Sequence, residues 1–231
     1  MSFLAKFSKV NAILKNQSFR DVGTYSFYSV IEKAIPFFIL PIFTRLLSEE
    51  DTGYYILFIA IYSIALPLSK LGLDSLAVVN YFKLSEKEFR EYLTLSSVLY
   101  LIWVAIFFSI CLLLSPHIAK ILKIDKNILI YILLTILPYF FISLRLNIFR
   151  ASKQALKYSK LIILLTSLKH GLSLLFILFL DVDWKLIILA YGLSHFLISI
   201  LCILSLVKDQ LFSFSIKFNQ SKKVLKESFP L

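Results

Sequence analysis

The hydrophobic positions fall into six long blocks separated by short polar turns. Between residues 25 and 53 the chain reads YSFYSVIEKAIPFFILPIFTRLLSEEDTG. An apolar stretch carrying Pro36, Pro41 and one charged pair, Glu32–Lys33, stops at Thr44–Arg45, and Ser48-Glu49-Glu50-Asp51 starts the next. Ser48 with Asp51 three residues on is a capping-box pattern, and carboxylates suit the positive end of a helix. The unit is span, tight polar turn, span, and it recurs. The pattern predicts spans over residues 23–46, 53–82, 92–115, 127–149, 161–180 and 184–207. Each has the roughly 20 residues that a helix needs to cross a hydrocarbon core. None alternates with period two, which argues against a transmembrane barrel. The expected fold is all-α: a polytopic membrane protein with a six-helix transmembrane bundle over residues 23–207, an N-terminal segment 1–22 and a C-terminal segment 208–231.

Within this frame several local features carry expectations. The second block is longer than a crossing needs, and its last part, SKLGLDSLAVVNYFK, mixes polar and apolar residues. It is expected to project beyond the bilayer or to tilt strongly. Pro116 marks the outer end of the third span and Pro138 the middle of the fourth, and Trp184 sits where an interfacial anchor belongs. The first twenty residues lack the apolar centre and cleavage site of a signal peptide. They fit a surface helix with Phe3, Leu4, Phe7 and Val10 on one side, or a plain tail. At the other end, Glu227 to Leu231 repeats the glutamate-then-proline order of Glu32 and Pro36, and reads as the start of a seventh span.

Composition agrees with the block pattern. Hydrophobic residues make up 59% and charged residues 17%, with mean hydropathy +0.83; soluble domains hold about 45–50% and about 25%. A net charge of +11 would point to nucleic acid in a soluble protein. Here it orients the chain instead, and no nucleic-acid partner is expected. Lys6, Lys9, Lys15 and Arg20, then Lys83, Lys87 and Arg90, then Arg150, Lys153, Lys157 and Lys160, then the five lysines from Lys208 to Lys226 share one side. Arg45, Lys120, Lys123, Lys126 and Lys185 lie on the other. Basic loops stay in the cytoplasm, so both termini are expected there. Cys111 and Cys202 each lie inside an apolar block with no partner at ligand spacing, so neither a metal nor another cofactor is expected.

Three stretches together resemble a known family: AIPFFILPIFTRLLSEEDTGYY (residues 34–55), LGLDSLAVVNYF (71–82) followed by Thr94-Leu95-Ser96, and FRASKQALKYSK (149–160). They are similar to the polysaccharide flippases, the O-antigen and capsule transporters of the multidrug/oligosaccharidyl-lipid/polysaccharide exporter superfamily. The likeness covers about the first 160 residues, and the later spans match in hydropathy alone. Family members often carry an arginine shortly after the Gly-Leu-Asp stretch, where this chain has Asn80. Members have twelve or fourteen spans in two lobes, so the chain resembles an N-terminal half. The resemblance implies a multi-pass protein of the bacterial inner membrane. It implies a carrier that moves an undecaprenyl-diphosphate-linked oligosaccharide by alternating access. The implied partners are the lipid-linked oligosaccharide, membrane lipids, and a C-terminal lobe or polysaccharide polymerase machinery.

Ionisable groups inside spans are the candidate site. Lys33, Lys169 and Arg145 are candidates for binding the diphosphate, since an anion needs a cationic, wet cavity. Glu32, His170 and His195 are candidates for ion coupling. Each has a plainer reading. Arg145 is close enough to its span end to snorkel, and Glu32 pairing with Lys169 would merely hold helices together. Lys70 and Asp74, four apart on one helical face, read as a structural pair. Three other functions compete: a drug or small-cation extruder of the same superfamily, a half-bundle with a structural role, and a membrane enzyme of polysaccharide assembly. An extruder favours an acidic cavity, and the spans hold more Lys and Arg than acids. An enzyme needs a catalytic constellation, and the outer loop 116–126 offers only Asp125 as an acid.

Overall fold

The computed structural model describes residues 17–122 and 127–213. They form seven helices and no strand: α1 (Gln17–Leu46), α2 (Glu49–Lys70), α3 (Leu76–Lys83), α4 (Glu86–Leu122), α5 (Asn127–Ala151), α6 (Ala155–Phe179) and α7 (Trp184–Lys208). All except α3 are long and apolar enough to cross a membrane. They run alternately up and down. One end of the bundle holds the α5–α6 turn at Arg150, and the other holds the α1–α2 turn at Ser48. Many large apolar side chains point outward, among them Phe27, Phe37, Phe38, Leu113 and Phe179, as expected for helices solvated by lipid. Of the N-terminal segment expected over 1–22, residues 17–22 open α1, and residues 1–16 lie outside the described residues, as does Glu227–Leu231, expected to start a seventh span.

The α1–α2 turn forms as its residues dictate. Ser48 caps α2 in extended backbone geometry, accepting from the Asp51 amide at 3.1 Å while its hydroxyl donates to Asp51 Oδ2 at 2.7 Å. Pro36 and Pro41 lie inside a continuous α1, and Pro116 lies next to the end of the membrane-crossing stretch Glu86–His117, beyond which α4 runs on to Leu122.

The second block is not one span. Leu71 and Gly72 take left-handed backbone angles, φ 52° and 70°, and the helix stops at Lys70 and restarts at Leu76. The expected continuous helix over 53–82 is therefore replaced by a break, and glycine supplies the positive φ. The polar groups freed there find partners. The Tyr92 hydroxyl donates to the Leu73 carbonyl at 2.8 Å, and Asn147 Nδ2 donates to the Asp74 carbonyl at 2.9 Å. Lys70 and Asp74 still meet, at 2.7 Å, and Ser143 of α5 donates to the same carboxylate. They meet across the break rather than along a helix.

Helices α5 and α7 form the centre and are the most buried of the long helices, whereas α1 is the least. α1 leans mainly on α6. At the Ser48 end Phe43, Tyr55, Phe58, Ile128, Ile132, Ile136, Ile177, Ile187 and Ile188 pack into one apolar cluster drawn from five helices. Trp184 belongs to this cluster. It is 4% exposed and stacked on Tyr54 at 5.0 Å, so it is a core residue and not the lipid-facing anchor expected of it. A second cluster around Leu93, Tyr100, Phe140 and Leu144 joins α3, α4 and α5, with the Tyr100 and Phe140 rings stacked at 4.0 Å.

Candidate functional site

A cavity of about 580 Å³ lies between α1, α2, α5, α6 and α7. Its lining follows from helical spacing. On α6 the lining residues are Tyr158, Ile162, Leu165, Thr166 and Lys169, and on α5 they are Tyr139, Ser143, Leu146, Asn147 and Arg150. Steps of three and four put each set on one face of its helix. Tyr62, Ser63 and Leu66 of α2, Tyr191 and His195 of α7, and Glu32 of α1 complete the wall. A neighbouring recess of about 330 Å³, with Tyr25, Tyr28 and Ser29 on its α1 side, shares Glu32, Arg150, Tyr158 and Ile162 with it. The two together run from the Arg150 end to mid-bundle. There the apolar cluster of the Ser48 end begins, and Tyr191 belongs to both.

Lys169 sits at the cavity floor. α6 begins at Ala155, so Lys169 lies about 21 Å along the helix from its start and about 15 Å from Phe179. It is therefore too deep to reach either headgroup layer and depends on the cavity for water. Its Nζ stands 4.7 Å from the centroid of the Tyr191 ring, a cation–π contact. Glu32 lines the same cavity, yet no ion pair within 4 Å joins it to Lys169 among the described residues. Glu32 thus acts on the lysine across the cavity rather than in contact with it.

The other candidates separate. Lys33 is exposed and absent from the lining; neighbours on a helix are turned about 100° apart, so only one of Glu32 and Lys33 can face inward. Arg145 is also absent from the lining. It is 4% exposed, donates to Ser205 at 2.7 Å and to the Asp209 carboxylate, and lies over the Phe149 ring. It neither snorkels nor faces the cavity, because the end of α7 supplies it with an acid. His195 lines the cavity. Its Nδ1 lies 3.1 Å from the Thr135 carbonyl; a carbonyl only accepts, so Nδ1 carries the proton in this contact. His170 is buried behind the wall, with Nδ1 3.4 Å from the Tyr191 hydroxyl.

Residues not singled out in the sequence contribute most of the lining. Arg150, counted there as a basic loop residue, stands at the mouth with its guanidinium donating to the Tyr158 hydroxyl at 2.8 Å. Tyr62, Tyr139, Asn147 and Thr166 add polar groups deeper in. On α5 the polar or charged residues Tyr139, Ser143, Asn147 and Arg150, at steps of four, four and three, were the one local signal for part of this wall.

The wall as a whole offers a cation at the floor, a second at the mouth, one acid between them, four tyrosines and several neutral donors and acceptors. Such a surface suits an anionic group attached to something rich in hydroxyls. Among the described residues no three His, Cys, Asp or Glu side chains gather as metal ligands.

The family model described as "Polysaccharide biosynthesis protein" matches residues 18–231. No curated protein and no solved structure was found to match the chain.

Proposed function

The chain belongs to the polysaccharide biosynthesis protein family, and from that membership we propose that it carries an undecaprenyl-diphosphate-linked oligosaccharide across the bacterial inner membrane. It is a multi-pass membrane protein by its six span-length helices. The observation that carries the reading is Lys169, a cation unpaired by any acid within 4 Å among the described residues, at the floor of a polar cavity open toward Arg150 and closed by apolar side chains toward Ser48. The excess of Lys and Arg in the loops at the Arg150 end supports a cytoplasmic position for it, the side on which this reading has the sugar unit made. In this reading Arg150 draws the diphosphate in at the mouth and Lys169 holds it at the floor, while tyrosine rings with Asn147 and Thr166 face the first sugars. Stacking and hydrogen bonding suit pyranose rings, which present both C–H faces and hydroxyls.

The same observation weighs against the competing readings. A purely structural half-bundle has no use for an open interior with a cation at its floor. A small-cation extruder would place its acid, not its lysine, deepest. The alternating-access cycle brings in a second lobe, and the C-terminal half of a full carrier or a polymerase complex are the partners proposed for it.

The test is Lys169→Ala at the chromosomal locus, with surface polysaccharide and membrane protein level measured together. Loss of polysaccharide at normal protein level is the expected result. Unchanged display at normal protein level removes Lys169 from the site and with it the anion-binding cavity.

A further inference from the structure

The recess beside the cavity mouth, between α1 and α6, carries polar groups that diphosphate binding does not use. Tyr25, Tyr28, Ser29 and Ser159 line this recess and not the main cavity. Ser159 is 1% exposed, and its Oγ has no hydrogen-bond partner among the described residues. Other buried serines return their hydroxyls to the preceding turn: Ser173 donates to the Lys169 carbonyl and Ser194 to the Ala190 carbonyl, each at 2.7 Å. Ser159 does not, which leaves a donor and an acceptor for something in the recess. The Tyr25 hydroxyl is also buried and without a partner among the described residues, and its ring stands edge-on to Tyr158 at 5.2 Å.

The charges around the recess oppose one another. Arg150 donates to the Tyr158 hydroxyl and lies 5.2 Å from the centroid of that ring. Glu32 stands where the recess joins the main cavity, with no ion pair within 4 Å among the described residues. Asp21 lies one turn before Tyr25 on the same face of α1. One arginine already held by a tyrosine, set against these carboxylates, does not suit a second phosphate. The groups suit a neutral ring rich in hydroxyls. A carboxylate accepts from hydroxyls, serine and tyrosine oxygens both donate and accept, and tyrosine faces cover C–H surfaces.

Position decides which part of the cargo reaches the recess. Ser159 lies about 15 Å along α6 from Lys169, farther than one pyranose ring spans. With the diphosphate on Lys169, the sugar joined to it stays in the main cavity. We propose that the recess is a subsite for a neutral pyranose beyond that first sugar, held by Ser159, Tyr25 and Glu32, and that it selects the carried oligosaccharide by that ring. This rests on the carrier reading of the cavity. Its volume of about 330 Å³ is at the small end of ligand sites and leaves room for one ring with its hydroxyls. A uronic acid is disfavoured there, because Glu32 and Asp21 repel its carboxylate.

The experiment uses the full chain in lipid nanodiscs. The probes are farnesyl diphosphate alone and the same molecule carrying one, two or three glucose units, and calorimetry gives each affinity. In the wild type the second or third glucose should tighten binding by about fivefold for each hydrogen bond gained. Ser159→Val and Tyr25→Phe should bind farnesyl diphosphate within twofold of the wild type and lose that late gain. Glucuronate in place of the last glucose should bind several-fold more weakly, and equal or tighter binding overturns the neutral assignment. Farnesyl diphosphate binding that three glucose units leave unchanged overturns the proposal and leaves the cavity reading standing. Absence of farnesyl diphosphate binding in the wild type overturns the cavity reading and the proposal with it. A late gain that persists in both variants overturns the placement in the recess. If the variants aggregate, a photoreactive diazirine on the third glucose decides in the wild type. Labelling of α1 or of the first two turns of α6 supports the recess, and labelling elsewhere overturns it.

Discussion

Lys70 Nζ and Asp74 Oδ2 stand 2.7 Å apart across a break in the backbone that carries them, and Ser143 of α5 donates to the same carboxylate. Asp74 is 1% exposed, and the Lys70 side chain is 16% exposed. The ion pair therefore bridges the interruption and ties it to the central helix. Removing one partner of a buried pair leaves the other charged and unsolvated, which costs about 3 kcal/mol or more. Lys70→Met should destabilise by that order, Asp74→Asn by a similar amount, and the double variant by clearly less than their sum. Chemical unfolding in mild detergent, arranged as a double-mutant cycle, measures it. Additive losses would mean that the pair contributes nothing across the break.

Arg145 and Asp209 form a pair of a different kind. The arginine is buried, but the Asp209 side chain is 48% exposed. Without its partner the acid simply rehydrates. The Arg145→Met substitution keeps the apolar stem over Phe149 and should cost about 1 kcal/mol, nearer the value of an exposed pair. Farnesyl diphosphate affinity should stay within twofold, since the guanidinium is outside the cavity. A tenfold loss of affinity would return Arg145 to the binding site.

Lys33 and Lys169 look alike in the sequence and differ in the fold. Lys33→Ala should leave farnesyl diphosphate binding within twofold, because the side chain is exposed on the outer face of α1. Lys169→Ala should weaken it at least tenfold, the loss of about 1.4 kcal/mol expected for one charge-assisted contact. Equal effects of the two would contradict the separation seen here.

Gly72 has φ 70°, in the left-handed region. Gly72→Ala places a Cβ where L-residues are disfavoured and should cost about 1 kcal/mol. The expected sign is a lower unfolding midpoint with no change in span number by cysteine labelling. A stability gain would mean that the break relaxes to continuous helix.

The six crossings were legible because lipid imposes a minimum run of apolar residues, and no other fold tolerates blocks of that length. The Ser48 cap was legible for a local reason: its partner is three residues away. The break at Leu71 was legible only in part: the polar residues Ser69, Lys70, Asp74 and Ser75 mark the stretch as unusual, but Leu73, Leu76 and Ala77 keep enough apolar character for it to read as one long tilted or projecting helix. Facing was the other thing hidden. α1 is apolar all round, so nothing in its pattern says whether Glu32 or Lys33 turns inward. The cavity itself was hidden because its wall is assembled from five helices. Serine, tyrosine and asparagine at Ser143, Tyr139 and Asn147 look unremarkable until the helices meet. Trp184 was misread for a related reason: its position at a helix end fitted the interface, but Tyr54 and Tyr131 cover it.

The apolar cluster that closes the Ser48 end has a consequence for how cargo would travel. It is interior to one unit, built from Phe43, Phe58, Ile128, Ile177 and Ile187 on five different helices, and prying it apart would undo the packing that holds those helices together. On the transport reading proposed above, that packing makes the chamber a cul-de-sac: cargo would leave by the doorway it entered, and delivery to the far leaflet would require the whole unit to swing so that this doorway looks the other way.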